Sequence, residues 1–437
     1  MRNVTKSILA LLLVVCALSQ VSCGYSVLTH EEIVDLLWDD QIKPLLLEKY
    51  PGTTPDELRA AHGYAYGGSL IQDMGYYPFG NRLFSDLVHY VRSGDFVEAL
   101  LDEATDVNEY AFALGALSHY SSDITGHPAV NAAVAQNFPK LMTKYGPLVT
   151  FEQDPKAHIR TEFGFDVVQV AKHRYTSDAY HDFIGFQVAK PVLQRAFLKT
   201  YGIKLEDVFV SLDLSIATFR HSISGIIPEM TRVALLTKTD EMVKEDPSFA
   251  RKKFLYNLKR TEYEKEWGTD YQKPGFGAHV LAGLFRLVPK VGPFRAIGFK
   301  MPSSETETLY LKSINTSVDR YRTCLQGLRV GKLALDNMDF DTGKPTEEGE
   351  YRLTDEAYAK LLDKLTKAKF ADAPPELRQN ILAFYQDPNA PDFNKKKPDQ
   401  RSRTLRNIEE LRSVRTDKAT ARERALPSSL PVYGKPE

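Results

Sequence analysis

The stretch Ala113 to Pro128, ALGALSHYSSDITGHP, constrains this chain more than any other. His119, Asp123 and His127 recur every four residues in a segment that otherwise reads as a buried helix. On a helix that spacing stacks three side chains on one face, each offset by about 40° from the last. Two imidazoles and a carboxylate pointing the same way from a core helix suit a metal ion better than they suit a core. Further ligands must then come from other parts of the chain.

At 437 residues the chain can bury a large core. A content of 43% hydrophobic and 26% charged residues, with a net charge of -1, gives no polyelectrolyte signature, so no specific nucleic-acid partner is expected. Residues 1–24 have the anatomy of a signal peptide. Arg2 and Lys6 precede a short apolar run from Ile8 to Leu18, and small residues follow. Cutting after Gly24 makes Tyr25 the new N-terminus and implies an exported protein. A competing cut before Cys23 would anchor a lipoprotein, although Gln20 stands where such signals place an aliphatic residue. The mature chain keeps Cys324 alone, which allows no intrachain disulfide.

Helical signals fill the first half. Thr29 to Glu32 reads as a capping box opening a helix at His30 that runs towards Tyr50, and Thr54, Pro55 and Glu57 announce another, carrying Leu58 to Ile71. Further helical patterns cover Phe84 to Val91, Asp95 to Glu103, a long one from Asp106 through the opening motif, Pro155 to Lys172, Ala179 to Lys199 and Leu205 to Leu236. Within the long one, Gly115 and Ala116 allow close approach of a neighbouring backbone. No alternating strand pattern occurs before residue 240, so the N-terminal domain, 25–239, is expected to be all-α. A helical extension is expected over 240–385, with Leu309 to Leu335, Thr354 to Lys367 and Pro375 to Tyr385 as helices. Inside it, 278–300 is apolar with spaced basic residues and suits either a membrane surface or a core helix pair. The clusters KKK, RSR and RER after Gln386 argue for a solvated or disordered tail, 386–437.

Candidate partners for the opening motif are scattered. His158 and Glu162 repeat the four-residue spacing on a second helix, and Asp73 and His89 flank a tyrosine-rich loop. His30 follows Tyr25, whose free α-amine would be a competent ligand near neutral pH. Tyr66, Tyr76, Tyr77, Phe79 and Tyr90 cluster in sequence around Asp73 and His89. They suit core packing, a cage for a cationic headgroup or a platform for stacking a base. The remaining histidines, His62, His173, His181, His221 and His279, read as structural or surface residues.

The order of these residues resembles the zinc-dependent phospholipase C family, together with its relatives the zinc-dependent single-strand nucleases. The resemblance spans about residues 25 to 235. It implies an all-α fold holding three zinc ions at the bottom of a cleft. Carried over residue by residue, Tyr25, His30 and Asp123 would bind one ion, and Asp73, His89, His119 and Asp123 the second. His127, His158 and Glu162 would bind the third. Three ions against three carboxylates leave a site of about +3, attractive to a phosphodiester and to hydroxide. Zinc lowers the pKa of bound water from 15.7 to about 7, which makes a nucleophile available, and Asp73 is the candidate general base.

The resemblance implies a secreted phosphodiesterase acting on phospholipid. A single-strand nuclease or nucleotidase of the same fold, and a non-catalytic envelope protein stabilised by zinc, are the alternatives. One departure stands out. Only Ile124, Thr125 and Gly126 separate Asp123 from His127, where most members place five residues. The shorter spacing is similar to that of the N-terminal domain of glycosylphosphatidylinositol-specific phospholipase D, whose chemistry cuts on the other side of phosphorus.

Overall fold

In a computed structural model of the chain, residues 26–172, 186–223, 298–387 and 398–424 are described, with isolated positions 227, 230, 231, 234 and 390. The fold is all-α. The chain opens with α1 (Val27–Leu37), a π turn (Trp38–Ile42) and α2 (Lys43–Lys49). Next come α3 (Pro55–Gly68), a 3-10 turn (Ile71–Tyr76), α4 (Arg82–Tyr90) and α5 (Ser93–Glu103). The long α6 (Val107–Asn137) crosses the middle of the molecule, followed by α7 (Pro139–Tyr145), α8 (Pro155–Ala171), α9 (Lys190–Tyr201) and α10 (Leu212–His221). Then α11 (Ser304–Arg329) leads to a two-stranded antiparallel hairpin, β1 (Met338–Asp339) with β2 (Lys344–Pro345), in which Met338 pairs with Pro345. The chain continues through α12 (Arg352–Lys367), α13 (Pro375–Phe384) and α14 (Pro398–Arg424).

Local chemistry explains most of these boundaries. Thr54 accepts from Glu57 N while Glu57 reaches back to Thr54 N, the reciprocal cap expected for α3. Asp106 accepts from Asn108 N and Glu109 N at the start of α6. The capping box expected at Thr29 does not form. Instead α1 begins at Val27 and its N-terminus is capped from elsewhere: Asp166 of α8 accepts from Leu28 N at 2.9 Å and from Thr29 Oγ1 at 2.6 Å. A buried carboxylate on another helix thus meets the exposed N–H groups and the positive end of the α1 dipole.

Helix α6 is the axis of the core. Along one side it packs on α3 at backbone contact, where a Cβ on Gly115 would lie 2.0 Å from Ala65 O and one on Gly68 1.9 Å from Phe112 O. Only glycine permits an approach this close. On another side α11 runs along α6, with Tyr321 Oη donating to Leu114 O at 2.9 Å and Thr125 Oγ1 meeting Ser317 Oγ at 2.6 Å. One hydrophobic core contains Ile33, Phe112 and Leu117 together with Tyr310, Leu361, Leu377 and Leu411. Residues 304–384 therefore share the core of the N-terminal helices. Within the expected tail, α14 buries Ile408 and Leu411 and leaves most of its other described side chains exposed, and Asn407 Nδ2 donates to Asp363 Oδ1 on α12 at 2.6 Å. Among the described residues no helix is long and apolar enough to cross a membrane. The expected signal peptide, Tyr25 and all of 278–300 except its last three residues lie outside the described residues.

Candidate metal centre

Four elements deliver the candidate ligands to one point against α6. His30 comes from α1, Asp73 from the 3-10 turn, His89 from α4, and His119 and Asp123 from α6 itself. The turn bearing Asp73 is stapled in place. Ser85 Oγ donates to Gln72 O at 2.5 Å and accepts from Gly75 N at 2.9 Å, while Gln72 Nε2 donates to Ala116 O on α6. All five side chains are buried.

The spacings within the cluster are those of ligands around a shared cation. His30 Nε2 lies 3.4 Å from Asp123 Oδ1 and His119 Nε2 lies 3.1 Å from Asp123 Oδ2. His89 Nε2 lies 3.4 Å from Asp73 Oδ1, 3.6 Å from Asp123 Oδ2 and 3.4 Å from His119 Nε2. Two N or O ligands about 2.05 Å from a tetrahedral zinc are separated by ~3.3 Å, which matches these edges. Two triplets have their ligand atoms mutually within 4.8 Å, namely His30, His119 and Asp123, and Asp73, His89 and His119. His119 therefore belongs to both, and Asp123 contacts His30 with one oxygen and His119 and His89 with the other.

Unsatisfied polar atoms supply an independent test of fit. Both carboxylate oxygens of Asp73, both of Asp123 and Nε2 of His127 are buried without a hydrogen-bond partner among the described residues. Buried polar atoms left this way are costly, and a coordinated cation satisfies them together. Without a cation, burial and the neighbouring imidazoles, His119 first, hold His30 well below its ordinary pKa. Burial lowers the pKa of His89 too, but the carboxylates of Asp123 and Asp73 beside its ring outweigh this and raise it to about 10. Burial works against ionised Asp123, yet the imidazoles, led by His119, hold its carboxyl well below the usual range. The geometry thus favours positive charge between Asp73 and Asp123, the place a divalent ion would take.

The third expected group is less tightly gathered. His127 Nε2 lies 3.5 Å from Asp123 Oδ2, and His158 Nδ1 lies 3.2 Å from Glu162 Oε1 one helical turn away on α8. The His127 and His158 rings are 6.3 Å apart. These three residues do not form a further triplet at the spacing of the first two. Burial pushes the Glu162 carboxyl well above its ordinary range, and Asp123 and Asp73 add to the effect. The His158 imidazole is pushed down to about 4, chiefly by burial.

The aromatic residues near Asp73 resolve into packing. Tyr66, Tyr76, Tyr77 and Tyr90 are buried, and Tyr77 packs edge-on against Phe219; Phe79 alone is half-exposed. His62 is a structural residue, with Nε2 2.8 Å from Asp35 Oδ1 and its ring stacked on Trp38 at 3.7 Å. His221 is exposed, while His173, His181 and His279 lie outside the described residues.

Sequence reasoning missed one acidic neighbour. Asp341, in the hairpin, places Oδ1 3.6 Å from His127 Nδ1. The signal was present as Asp-Thr-Gly between short flanking segments, a hairpin turn pattern, but nothing local ties it to α6.

No curated protein and no solved structure gives a significant match to the chain. A family match does exist, and it covers the segment that carries His30, Asp73, His89, His119, Asp123, His127, His158 and Glu162. Residues 29–209 match the family described as zinc dependent phospholipase C.

Proposed function

We propose that this chain is an exported phosphodiester hydrolase that acts on phospholipids in the manner of a phospholipase C, using three zinc ions. The observation that carries the reading is the buried cluster of His30, Asp73, His89, His119 and Asp123, spaced as tetrahedral edges inside a zinc-dependent family segment. Tyr25, His30 and Asp123 would hold one ion, Asp73, His89, His119 and Asp123 the second, and His127, His158 and Glu162 the third. Zinc at these positions supplies Lewis acidity towards a phosphoryl oxygen and lowers the pKa of water.

The chain's own groups do the rest. Asp73 has a second carboxylate oxygen beyond the one facing His89, and it serves as the general base that accepts the proton of the attacking water. The water oxygen bonds to phosphorus, the bond from phosphorus to the glycerol oxygen breaks, and that oxygen takes up the proton Asp73 accepted. The products are a diacylglycerol and a phosphomonoester headgroup. Rotation of the imidazoles is prevented by bonds on their far sides: His89 Nδ1 donates to Ser85 O and His119 Nδ1 to Ser69 O, each at 2.9 Å. Held in this way, the ligand nitrogens keep their places without reorganisation during the reaction. A phospholipid surface is the partner in this reading, and the signal-like residues 1–24 support export.

The test is product analysis. Signal-processed, zinc-loaded protein is incubated with phosphatidylcholine vesicles and, separately, with single-stranded DNA. Release of diacylglycerol and phosphocholine is the expected result. Phosphatidic acid and choline would move the cut to the other side of phosphorus, cleavage of DNA alone would make the chain a nuclease, and zinc bound without turnover would make it a structural zinc protein.

A further inference from the structure

We propose that the 338–345 hairpin completes the metal centre, with Asp341 as a positioning residue that fixes His127 through its outer ring nitrogen. The proposal rests on the zinc reading above and concerns a part of the chain outside the matched segment 29–209.

The other four imidazoles follow one rule. Each has one nitrogen turned towards an acid of the centre and the other engaged by an oxygen behind the ring. His89 and His119 donate to the carbonyls of Ser85 and Ser69, and His158 Nε2 donates to Val149 O at 2.6 Å. His30 Nδ1 meets Ser122 Oγ at 3.1 Å; because that hydroxyl already donates to His119 O, the network assigns the proton to His30. The backing fixes which nitrogen keeps its lone pair for a metal. His127 breaks the rule within the matched segment. Its Nε2 faces Asp123 Oδ2 at 3.5 Å, but the group behind Nδ1 is Asp341 Oδ1 at 3.6 Å, reached from the hairpin.

Asp341 is built into that place. Its Oδ2 accepts from Tyr90 Oη at 2.9 Å and from Tyr351 Oη at 2.5 Å, and its carbonyl accepts from Asn131 Nδ2 at 2.9 Å. The hairpin is fastened on both sides of it. Phe340 N donates to His89 O at 3.3 Å, with the Phe340 ring 5.2 Å from the His89 ring, and Thr354 Oγ1 donates to Asp339 Oδ2 at 2.6 Å. Helix α6 is also shaped to receive it. Pro128 lies inside the helix and has no N–H to offer Ile124 O four residues back. Gly343, at φ +68°, lies over that carbonyl, where a Cβ would come within 2.5 Å. A carboxylate behind a ligand imidazole raises its basicity and strengthens its hold on a metal. The shorter Asp123-to-His127 spacing fits this arrangement, since it sets His127 one turn along the same face, where the hairpin reaches it.

The experiment uses the full chain loaded with zinc, together with Asp341→Asn, Tyr351→Phe and Asp123→Asn. Zinc per chain is measured after dialysis against graded chelator, and folding is followed by circular dichroism. Asp341→Asn is expected to release one zinc equivalent at roughly 10-fold to 100-fold lower chelator, with the other equivalents unchanged. Tyr351→Phe, which leaves Tyr90 as the remaining tyrosine on the carboxylate, should weaken the same equivalent by a smaller factor. A folded Asp341→Asn protein with the wild-type chelator profile overturns the proposal. If that variant does not fold, an unchanged profile in Tyr351→Phe overturns it. Uniform loss of every equivalent with a lowered melting temperature of the zinc-free protein also overturns it, because that is a folding defect. Asp123→Asn separates the two readings. If it loses zinc while Asp341→Asn keeps all of it, the centre stands and the hairpin's role falls. If it keeps full zinc, both fall.

Discussion

Replacing Gly115 with alanine tests whether the backbone contact between α3 and α6 sets the geometry of the centre. Helix propensity alone predicts a gain, since alanine in a helix interior is favoured over glycine by ~1 kcal/mol. The structure predicts the opposite sign. A Cβ at this position would lie 2.0 Å from Ala65 O, 2.9 Å from Ala65 C and 2.8 Å from Ser69 N, all backbone atoms that no rotamer change can move. Ordinary contact begins near 3.4 Å, so the helices must part by about 1.4 Å at this point. Overpacking of this kind costs ~1–3 kcal/mol. The same displacement strains the bond from Ser69 N to Ala65 O and moves Ser69 O, which backs His119. Losing that second bond adds ~1 kcal/mol. After the propensity gain is subtracted, the net loss is ~1–3 kcal/mol, read as a lower urea midpoint at unchanged slope. Gly327 provides the control: it lies in α11, and its nearest neighbours to a new Cβ are at an ordinary 3.7 Å, so Gly327→Ala should gain up to ~1 kcal/mol. Zinc should also leave Gly115→Ala at lower chelator than it leaves Gly327→Ala. A Gly115→Ala protein as stable as the wild type, with unchanged zinc retention, would refute the argument.

Three further outcomes follow from single residues. Burial pushes the Asp166 carboxyl up to about 6 although bonds from the start of α1 oppose the shift. A folded-state pKa raised above its unfolded value of 3.8 gives stability that is present below pH 3.8 and lost as pH rises through 6; zinc-free wild type should therefore lose ~3 kcal/mol between pH 3.5 and 7 that Asp166→Asn does not lose, and parallel urea profiles would contradict this. Asp106→Ala removes the cap that takes two N–H groups at the start of α6 and should cost ~1 kcal/mol in urea unfolding, with none of the zinc-specific loss expected for Gly115→Ala. Protein that retains residues 1–24 should turn over poorly, because Tyr25 would then have no free amine; equal activity before and after processing would remove Tyr25 from the centre.

What was legible in the sequence depended on locality. The caps at Thr54 and Asp106 lie within three residues of the groups they satisfy, and the helices they start are where the sequence placed them. The His–Asp–His face of α6 was legible because buried imidazoles and a carboxylate at helical spacing are costly without a cation, whatever surrounds them. The cap of α1 was misread because its acceptor, Asp166, is 138 residues from Leu28, and the Thr-x-x-Glu pattern nearby satisfied the local rule. The same blindness hid Asp341. Its place behind His127 follows from a helix-breaking proline, a left-handed glycine and two tyrosines, brought together only in the folded chain. In the tail, Ile408 and Leu411 are sparse among basic residues, yet three residues apart they form enough of a face to dock on the core.

The helices of 304–384 pack into the same core as the N-terminal ones. Without residues 304–351 the α11-facing side of α6 would be open from Leu114 to Thr125, and the Tyr90 hydroxyl and Asn131 amide would lose their acceptors on Asp341. Nor would His127 have its outer partner. The hairpin also alters the charge balance: with Asp341 behind His127, three zinc ions would face four carboxylates, and the site would fall from about +3 to about +2. A less positive centre attracts an anionic phosphodiester less strongly but holds its cations more firmly. In the proposed centre the 338–345 hairpin would therefore act on the metal side of the reaction, by strengthening the ligand field at His127.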